Sequence, residues 1–315
     1  TRLSAAVEEA RAHAGGIITA FLRNSRLAAS LTREMDFQFL FDKRSGLLAI
    51  GYDADRCEMD NSFYDLLASE ARIAVFLAIA KGDAPREAWF RLGRRITSFR
   101  GASTLVSWSG TMFEYLMPAL FMKTFEPTLL TESLRGVVKI QQLYARQLGI
   151  PWGISEAAHS ERDASQTYQY RAFGVPLVSL KGGTGDDLVV APYATLLALA
   201  VDPDGAVGNL REMASRGWIG RYGFFESVDF RRARFSVHNR AVIVRSFMAH
   251  HQAMGLLSLC NLLRDNSMQR RFHAETMVAA TELLLQERIP ALLAGGEDEE
   301  VFEAMMRVST VPSAS

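Results

Sequence analysis

The chain has 315 residues, with 35 basic and 35 acidic side chains and a formal net charge of zero. No run of Lys or Arg stands out, which argues against nucleic acid or an anionic membrane as the main partner. Two cysteines, Cys57 and Cys260, without paired spacing, support neither a disulfide framework nor a Cys-rich zinc site, and both read as reduced, partly buried thiols.

No apolar run reaches the ~20 residues that span a bilayer. The best, Leu188 to Val201, is bounded by Asp187 and Asp202. A chain of this length buries a large core, as one large domain or two ordinary ones. Thr1 follows no Met and shows no secretory signal, which fits a piece cut from a longer protein.

Residues 2–34 read as helical, with Leu3, Val7, Ala10, Ala14, Ile17, Phe21 and Leu22 on one stripe, and Gly15-Gly16 is expected to break the run in two. Between Asp36 and Tyr52 an Asp42-Lys43-Arg44-Ser45-Gly46 turn joins two apolar runs, a hairpin signature. Asn61 or Ser62 then caps a long helix to about Lys81. It is apolar nearly all round, so it reads as an inner helix, and it carries Asp65 and Glu70. Gly101 to Gly110 reads as a loop, and Ser109 as the cap of a helix over Met112 to Met122 that carries Glu114. Thr131 to Leu148 is amphipathic and reads as an outer helix.

Gly149 to Pro176 reads as a loop, because Pro151, Gly153 and Gly174 forbid a continuous helix. It sets Trp152, Tyr168, Tyr170 and Phe173 among Glu156, His159, Glu161, Arg162 and Asp163. Flat rings stack on the C–H faces of a pyranose, and carboxylates bind hydroxyls or do acid–base work. The alternative is a surface loop whose rings pin it to the core and whose charges are solvated.

Leu180 to Asp187 is Gly-rich but lacks both the phosphate-loop ending and the GxGxxG spacing, so it reads as a flexible turn. Ala191 to Val201 reads as an inner helix, and Asp202 or Asp204 starts an outer one ending near Arg216. Tyr222 to Ser227 is a short aromatic strand or loop containing Glu226. Val242 to Leu263 is a mostly apolar run with His250, His251 and Gln252 in its middle, residues 276–288 form a last helix, and the end from Ala291 looks frayed. Inner helices alternate with outer ones. That pattern argues for an all-α toroid of helical hairpins with a few short strands, with an α-solenoid as runner-up. In a toroid, loops at one end of the inner helices meet around a pocket.

The strongest chemical constellation is a set of carboxylates: Asp65, Glu70, Glu114, Glu156, Asp163, Glu226 and Asp229. Glycoside chemistry needs two, and local sequence does not choose the pair. His250 and His251 are adjacent, so on a helix they point about 100° apart and chelate one ion poorly. No HExxH is present, and no metal or cofactor is expected. A serine esterase is equally unsupported, since Trp108-Ser109-Gly110 is not GxSxG.

Several longer motifs point to one family. They include Tyr64-Asp65-Leu66-Leu67-Ala68-Ser69-Glu70-Ala71-Arg72, Ser107-Trp108-Ser109-Gly110-Thr111-Met112-Phe113-Glu114-Tyr115, Pro151-Trp152-Gly153-Ile154-Ser155-Glu156, Thr167-Tyr168-Gln169-Tyr170, Gly220-Arg221-Tyr222-Gly223-Phe224 and Met248-Ala249-His250-His251-Gln252. In unbroken order over roughly residues 35–290, they resemble the glucoamylase-like central domain of cyclic β-1,2-glucan synthases. The resemblance implies an (α/α)6 toroid over residues 36–290, with 1–35 as a helical lead-in and 291–315 as a tail or linker. It also implies a parent protein with flanking glycosyltransferase and phosphorylase-like domains, tethered to a bacterial inner membrane with this domain on the cytoplasmic side.

The implied activity is cleavage of linear β-1,2-glucan and rejoining of the new end onto the chain's own non-reducing end. The carboxylate pair carried over is Glu70, as acid/base, and Glu156, as nucleophile. The acid role of Glu70 is supported by its expected burial in an apolar helix. Asp65, Trp108, Glu114, Trp152, Tyr168, Tyr170, Glu226 and His250 are then expected to line the sugar subsites. A β-1,2-glucanase, or a module that holds glucan without cleaving it, are the alternatives. Three places depart from the family pattern: Ala157-Ala158-His159-Ser160, Lys181-Gly182-Gly183-Thr184-Gly185 and Ala253. None of them removes a carboxylate.

Overall fold

The computed structural model describes residues 2–181, 188–231 and 241–288. Helix α1 (Arg2–Glu34) is one uninterrupted helix of 33 residues. The expected break at Gly15-Gly16 does not occur. Two glycines cost about 1 kcal/mol each in a helix, too little to interrupt one of this length. None of its side chains is buried. It is tied down at its end, where Lys81 Nζ donates to the carbonyls of Thr32 and Arg33 at 2.7 and 3.0 Å.

The hairpin read from sequence is present as β1 (Phe41–Asp42) and β2 (Leu47–Ala49). Asp42 forms its turn by accepting from the backbone N–H groups of Arg44 and Ser45. Strands β3 (Tyr52–Asp53) and β4 (Glu58–Met59) pair with each other, and β5 (Phe63–Tyr64) adds to β2. Cys57 lies in the exposed turn between β3 and β4, not partly buried as expected.

The long helix read over 61–81 is halved. Gly93 N–H donates to the Asp65 carbonyl at 2.6 Å, and Leu67 N–H donates to the Gly93 carbonyl at 3.1 Å. That backbone pairing occupies residues 65–67, so helix α2 (Arg72–Lys81) begins only after a turn, and it ends at Gly82 with φ +82°. Helix α3 (Glu87–Arg91) follows.

Where a loop was read over 101–110, the chain forms a hairpin of β6 (Ile96–Phe99) and β7 (Ala102–Leu105). Arg100 and Gly101 both have positive φ at its turn, as a tight two-residue hairpin requires. Helix α4 (Met112–Leu116) is capped by Thr111 rather than Ser109, and Pro118 stops it short of Met122. Helix α5 (Leu129–Leu148) buries a full face while Arg135 ties Glu126 and Glu132 outside. It lies directly on β7: a Cβ at Gly136 would stand 1.8 Å from the Ser103 carbonyl oxygen.

The loop read over 149–176 contains a hairpin, β8 (Ala157–Arg162) with β9 (Tyr168–Arg171). Strand β10 (Val189–Val190), helix α6 (Pro192–Leu197) and helix α7 (Pro203–Ser215) follow, with Asp202 capping α7 as expected. A two-stranded pair, β11 (Ile219–Gly220) and β12 (Gly223–Phe224), precedes β13 (Ser227–Asp229). The run read from Val242 opens as a strand, β14 (Val242–Val244), which pairs with β13, and helix α8 (Ala249–Leu263) starts later. His250 and His251 therefore stand in the first turn of α8. Helices α9 (Ser267–Phe272) and α10 (Thr276–Thr281) complete the described part. The Gly-rich turn beyond Lys181 and the tail from Ala291 lie outside the described residues.

Helices surround one continuous apolar cluster that includes Phe76, Trp89, Leu105, Tyr115, Ile140, Phe173 and Leu197. Each such side chain stabilises the fold by roughly 1.5–3 kcal/mol through burial. Strands are two to six residues long, in sheets of two or three strands. The expected all-α architecture with short strands stands. Helix α6 meets α8 closely, because Gly255 leaves room for Leu196 and Ser258 Oγ donates to the Leu196 carbonyl at 2.6 Å.

Candidate active site

Glu156 stands at the end of a segment anchored from four sides. Gln141 of α5 holds Ile154 in both directions, donating to its carbonyl at 2.8 Å and accepting from its N–H at 3.0 Å. Asn209 of α7 does the same for Trp152, at 2.8 and 3.1 Å. Ser155 accepts from Phe113 N–H at 3.1 Å, and Tyr193 OH donates to the Glu156 carbonyl at 2.9 Å. Residues 151–155 are all buried and Glu156 is half-buried. A side chain on so fixed a backbone has a defined direction, which positioning chemistry needs. Tyr170 OH donates to Glu156 Oε1 at 2.6 Å. Burial raises the Glu156 pKa, and the Glu70 charge raises it further; the Tyr170 hydrogen bond and His251 act the other way.

Glu70 occupies the turn before α2, not the middle of a helix as the sequence suggested, and it is half-buried. Ser69 Oγ donates to its Oε2 at 3.3 Å. The turn is pinned by Arg72, whose buried guanidinium donates to the carbonyls of Ser69 (3.1 Å), Glu114 (3.1 Å) and Tyr115 (2.6 Å). Burial lowers the Arg72 pKa to about 10, and Glu70 opposes that shift. The charge of Glu70 is felt by Glu156, Glu114, Tyr64 and Arg72. The two expected carboxylates thus share one electrostatic neighbourhood, approached from separate elements.

A second cluster adjoins Glu156. Glu226 is buried just before β13, accepts from Ala158 N–H at 3.2 Å, and faces His251 Nδ1 with both oxygens at 2.9 and 3.0 Å. The His251 ring is buried and stacks on Tyr193 at 3.7 Å between centroids, 11° from parallel. Its Nε2 lies 3.3 Å from Tyr170 OH. His250, expected to line a subsite, is exposed, and its ring centroid lies 6.3 Å from that of Tyr170. Of the two adjacent histidines, His251 faces inward to Glu226, while His250, the one expected at a subsite, stays open to solvent. Neighbours on a helix diverge by about 100°, so one faces in and one out, and only the packing decides which.

The remaining expected residues divide. Trp108 is 57% exposed. Tyr168 is partly exposed and stacks under Arg162, whose guanidinium carbon lies 4.3 Å from the ring centre. Asp65 is exposed. Trp152 is only 8% exposed and belongs to the apolar core, at the edge of a cavity between α5 and α7. Glu114 is buried and engaged within the protein: it accepts from Ser107 Oγ (2.8 Å), Ser109 N–H (2.9 Å), Thr111 N–H (2.9 Å) and Thr111 Oγ1 (3.2 Å), completing a capping box for α4. Asp229 is tied to Arg231 and Ser160. Against burial, these bonds hold its pKa at about 2.

A cavity of about 520 Å³ lies elsewhere, between α5 and α7, lined by Gln142, Arg146, Trp152, Asp202 and Glu212 among others. Among the described residues, no cluster of His, Cys, Asp and Glu has metal-site geometry, and no helix is long and apolar enough to cross a membrane.

Known proteins resemble this chain over the same region. The Glycoamylase family model, a glucoamylase-like family, matches residues 62–276. The cyclic β-(1,2)-glucan synthase NdvB of Rhizobium meliloti (strain 1021) is 45% identical over 263 residues, covering 84% of this chain and 9% of that protein. The chain therefore spans a small part of its long relative. Among solved structures, a glucoamylase-like protein of Bacteroides caccae ATCC 43185 superposes with a TM-score of 0.59 at 15% identity, over 82% of this chain and 63% of that one. The endo-β-1,2-glucanase of Chitinophaga pinensis, solved with sophorotriose and glucose, superposes with a TM-score of 0.58 at 15% identity, over 82% and 63%. At that identity the superpositions speak for the fold, an (α/α)6 barrel type, of which this chain spans the larger part. The segment that carries Glu70, Glu114, Glu156, Glu226 and His251 falls inside the matched region, and the chain belongs to the glucoamylase-like family.

Proposed function

We propose that this domain processes β-1,2-glucan by a retaining, two-carboxylate transglycosylation that yields a cyclic product. The observation that carries the reading is the pair Glu70 and Glu156: two half-buried carboxylates, from separate elements, with Glu70 near enough for its charge to raise the Glu156 pKa. Glu156 attacks the anomeric carbon with its carboxylate oxygen. Glu70 gives its proton to the glycosidic oxygen as that C–O bond breaks. The covalent glycosyl-enzyme is then opened by a hydroxyl at the chain's own non-reducing end, and Glu70 takes back the proton of that hydroxyl. Two inversions at one carbon leave the β configuration in place.

The role assignment leans on the hydrogen bonds. A short Tyr170 donor on Glu156 supports the ionised form that a nucleophile needs. Glu70 precedes α2, so burial inside an apolar helix does not support its acid role. Its role rests on the shared neighbourhood and on the family resemblance. Trp108, Tyr168, Tyr170, His250 and Asp65 are the expected residues that remain exposed or half-exposed for sugar contact. The reading also takes residues 36–290 as the catalytic domain of a longer protein, held at the cytoplasmic face of an inner membrane through neighbouring glycosyltransferase and phosphorylase-like parts. The NdvB relative, of which this chain covers 9%, supports its being part of a longer protein.

The glucanase fold neighbours favour one rival, hydrolysis of the same linkage. Incubation with linear β-1,2-glucan separates the two. Cyclisation gives products one water lighter than linear chains, with no rise in reducing ends. Hydrolysis gives short reducing oligosaccharides. No turnover with glucan still bound would leave only a binding module.

A further inference from the structure

We propose that Glu226, His251 and Tyr170 form a proton relay that keeps Glu156 ionised for attack, each acting as a positioning residue through Glu156. The inference rests on Glu156 being the nucleophile.

Tyr170 has a single hydroxyl proton and two neighbours, Glu156 Oε1 at 2.6 Å and His251 Nε2 at 3.3 Å. It donates to one and accepts from the other. When it donates to Glu156, Nε2 must carry a proton to donate to Tyr170. Nδ1 faces both oxygens of buried Glu226 and donates to it when Glu226 is a carboxylate. The chain then reads carboxylate, imidazolium, phenol, carboxylate, with each contact satisfied and Glu156 ionised. When Glu156 is protonated instead, it donates to Tyr170, Tyr170 turns its proton to Nε2, and the imidazole is neutral with Nδ1–H still on Glu226. Both states hold the same number of protons. One proton has left Nε2 and one has arrived on Glu156, so nothing is drawn from solvent.

The surroundings make this exchange useful. Burial and Glu70 both favour the protonated Glu156, while the His251 charge opposes them. A positive imidazole next to Tyr170 acts against these two influences. Tyr193 fixes the geometry from both sides, stacking on the His251 ring and donating to the Glu156 carbonyl. Ala158 N–H fixes Glu226. Among the described residues, His250 also lies against His251, 4.0 Å away between ring centres and open to solvent.

Two measurements test the relay, one with turnover and one without. In Tyr170→Phe the ring stays and the link is lost. Glu156 then feels burial and Glu70 without the donor or the imidazolium state coupled to it. The acid limb of kcat/KM is expected to move up by about one to three pH units, as for loss of an opposite charge nearby. Activity should return toward wild type as pH rises. His251→Gln, which can donate but cannot titrate, should move the limb in the same direction. An equal fall in rate at every pH, with the limb unmoved, would show a merely structural role and overturn the relay. The second measurement needs no substrate. Long-range 15N signals of the His251 imidazole are expected to show an inflection coupled to Glu156 in the wild type, and Glu156→Gln should abolish it. His251 signals indifferent to Glu156→Gln would overturn the relay, whatever the glucan products show.

Discussion

Glu114 and Glu156 are both glutamates withdrawn from water, and burial raises the pKa of each, yet different groups meet their oxygens. Glu114 accepts from two backbone N–H groups and two hydroxyls, all within Ser107–Thr111. Among the described residues, Glu156 receives one side-chain donor, the hydroxyl of Tyr170. A carboxylate whose lone pairs are filled by its own loop stabilises that loop and has none left for a substrate. One that is fixed at the backbone and open at the carboxyl is placed for reaction. The two sites differ in satisfaction more than in burial, and satisfaction separates scaffold from chemistry here.

The largest effect should come from breaking the open pair. Glu70→Gln is expected to lower turnover on β-1,2-glucan by about 10²–10⁴-fold, the usual contribution of a general acid. Glu156→Gln should remove turnover altogether. Both should leave the unfolding midpoint in urea near wild type, because neither carboxylate holds the fold. Glu114→Gln should do the reverse. An amide nitrogen would face the N–H donors of Ser109 or Thr111, and one unsatisfied buried contact costs about 1–3 kcal/mol. That should appear as a lower urea midpoint.

Smaller effects sharpen the same contrast. Trp108→Ala should weaken glucan binding by about 0.5–1.5 kcal/mol, read as a higher KM with kcat little changed, since the ring is exposed and offers stacking alone. Asp229 gives a pH signature of the scaffold. Its pKa in the fold, about 2, lies below the ordinary 3.8, so the stability it lends is full above about pH 4 and is lost as pH falls through 2. Asp229→Asn should flatten the urea midpoint against pH across that window.

The features legible in the sequence were those fixed by near neighbours. The Asp42 turn and the start of α7 at Asp202 or Asp204 each need only the next few residues; the turn is present, and Asp202 is the residue that caps α7. The helix over 61–81 was overextended, because apolar spacing does not reveal that Gly93 pairs with the backbone at Asp65 and Leu67. The hairpins at β6–β7 and β8–β9 were missed for a related reason: their partners are a few residues apart, but their polar and apolar residues do not alternate cleanly. The Thr111-Met112-Phe113-Glu114 spacing is a capping box that was open to reading, and it would have marked Glu114 as scaffold. The choice between His250 and His251 was not legible, since it depends on Glu226 meeting the helix from another part of the chain.

The central claim is that Glu156 and Glu70 divide the work as nucleophile and acid/base. Azide rescue tests it directly, using Glu156→Gly and Glu70→Ala with an aryl β-1,2-gluco-oligosaccharide that carries a good leaving group. Azide filling the place of the nucleophile attacks once, from the α face. Azide entering after the glycosyl-enzyme has formed attacks second, from the β face. The account predicts an α-glycosyl azide from Glu156→Gly and a β-glycosyl azide from Glu70→Ala, read from the anomeric proton coupling by NMR. The opposite pairing, or no azide product from either variant while both still bind the donor, would contradict it.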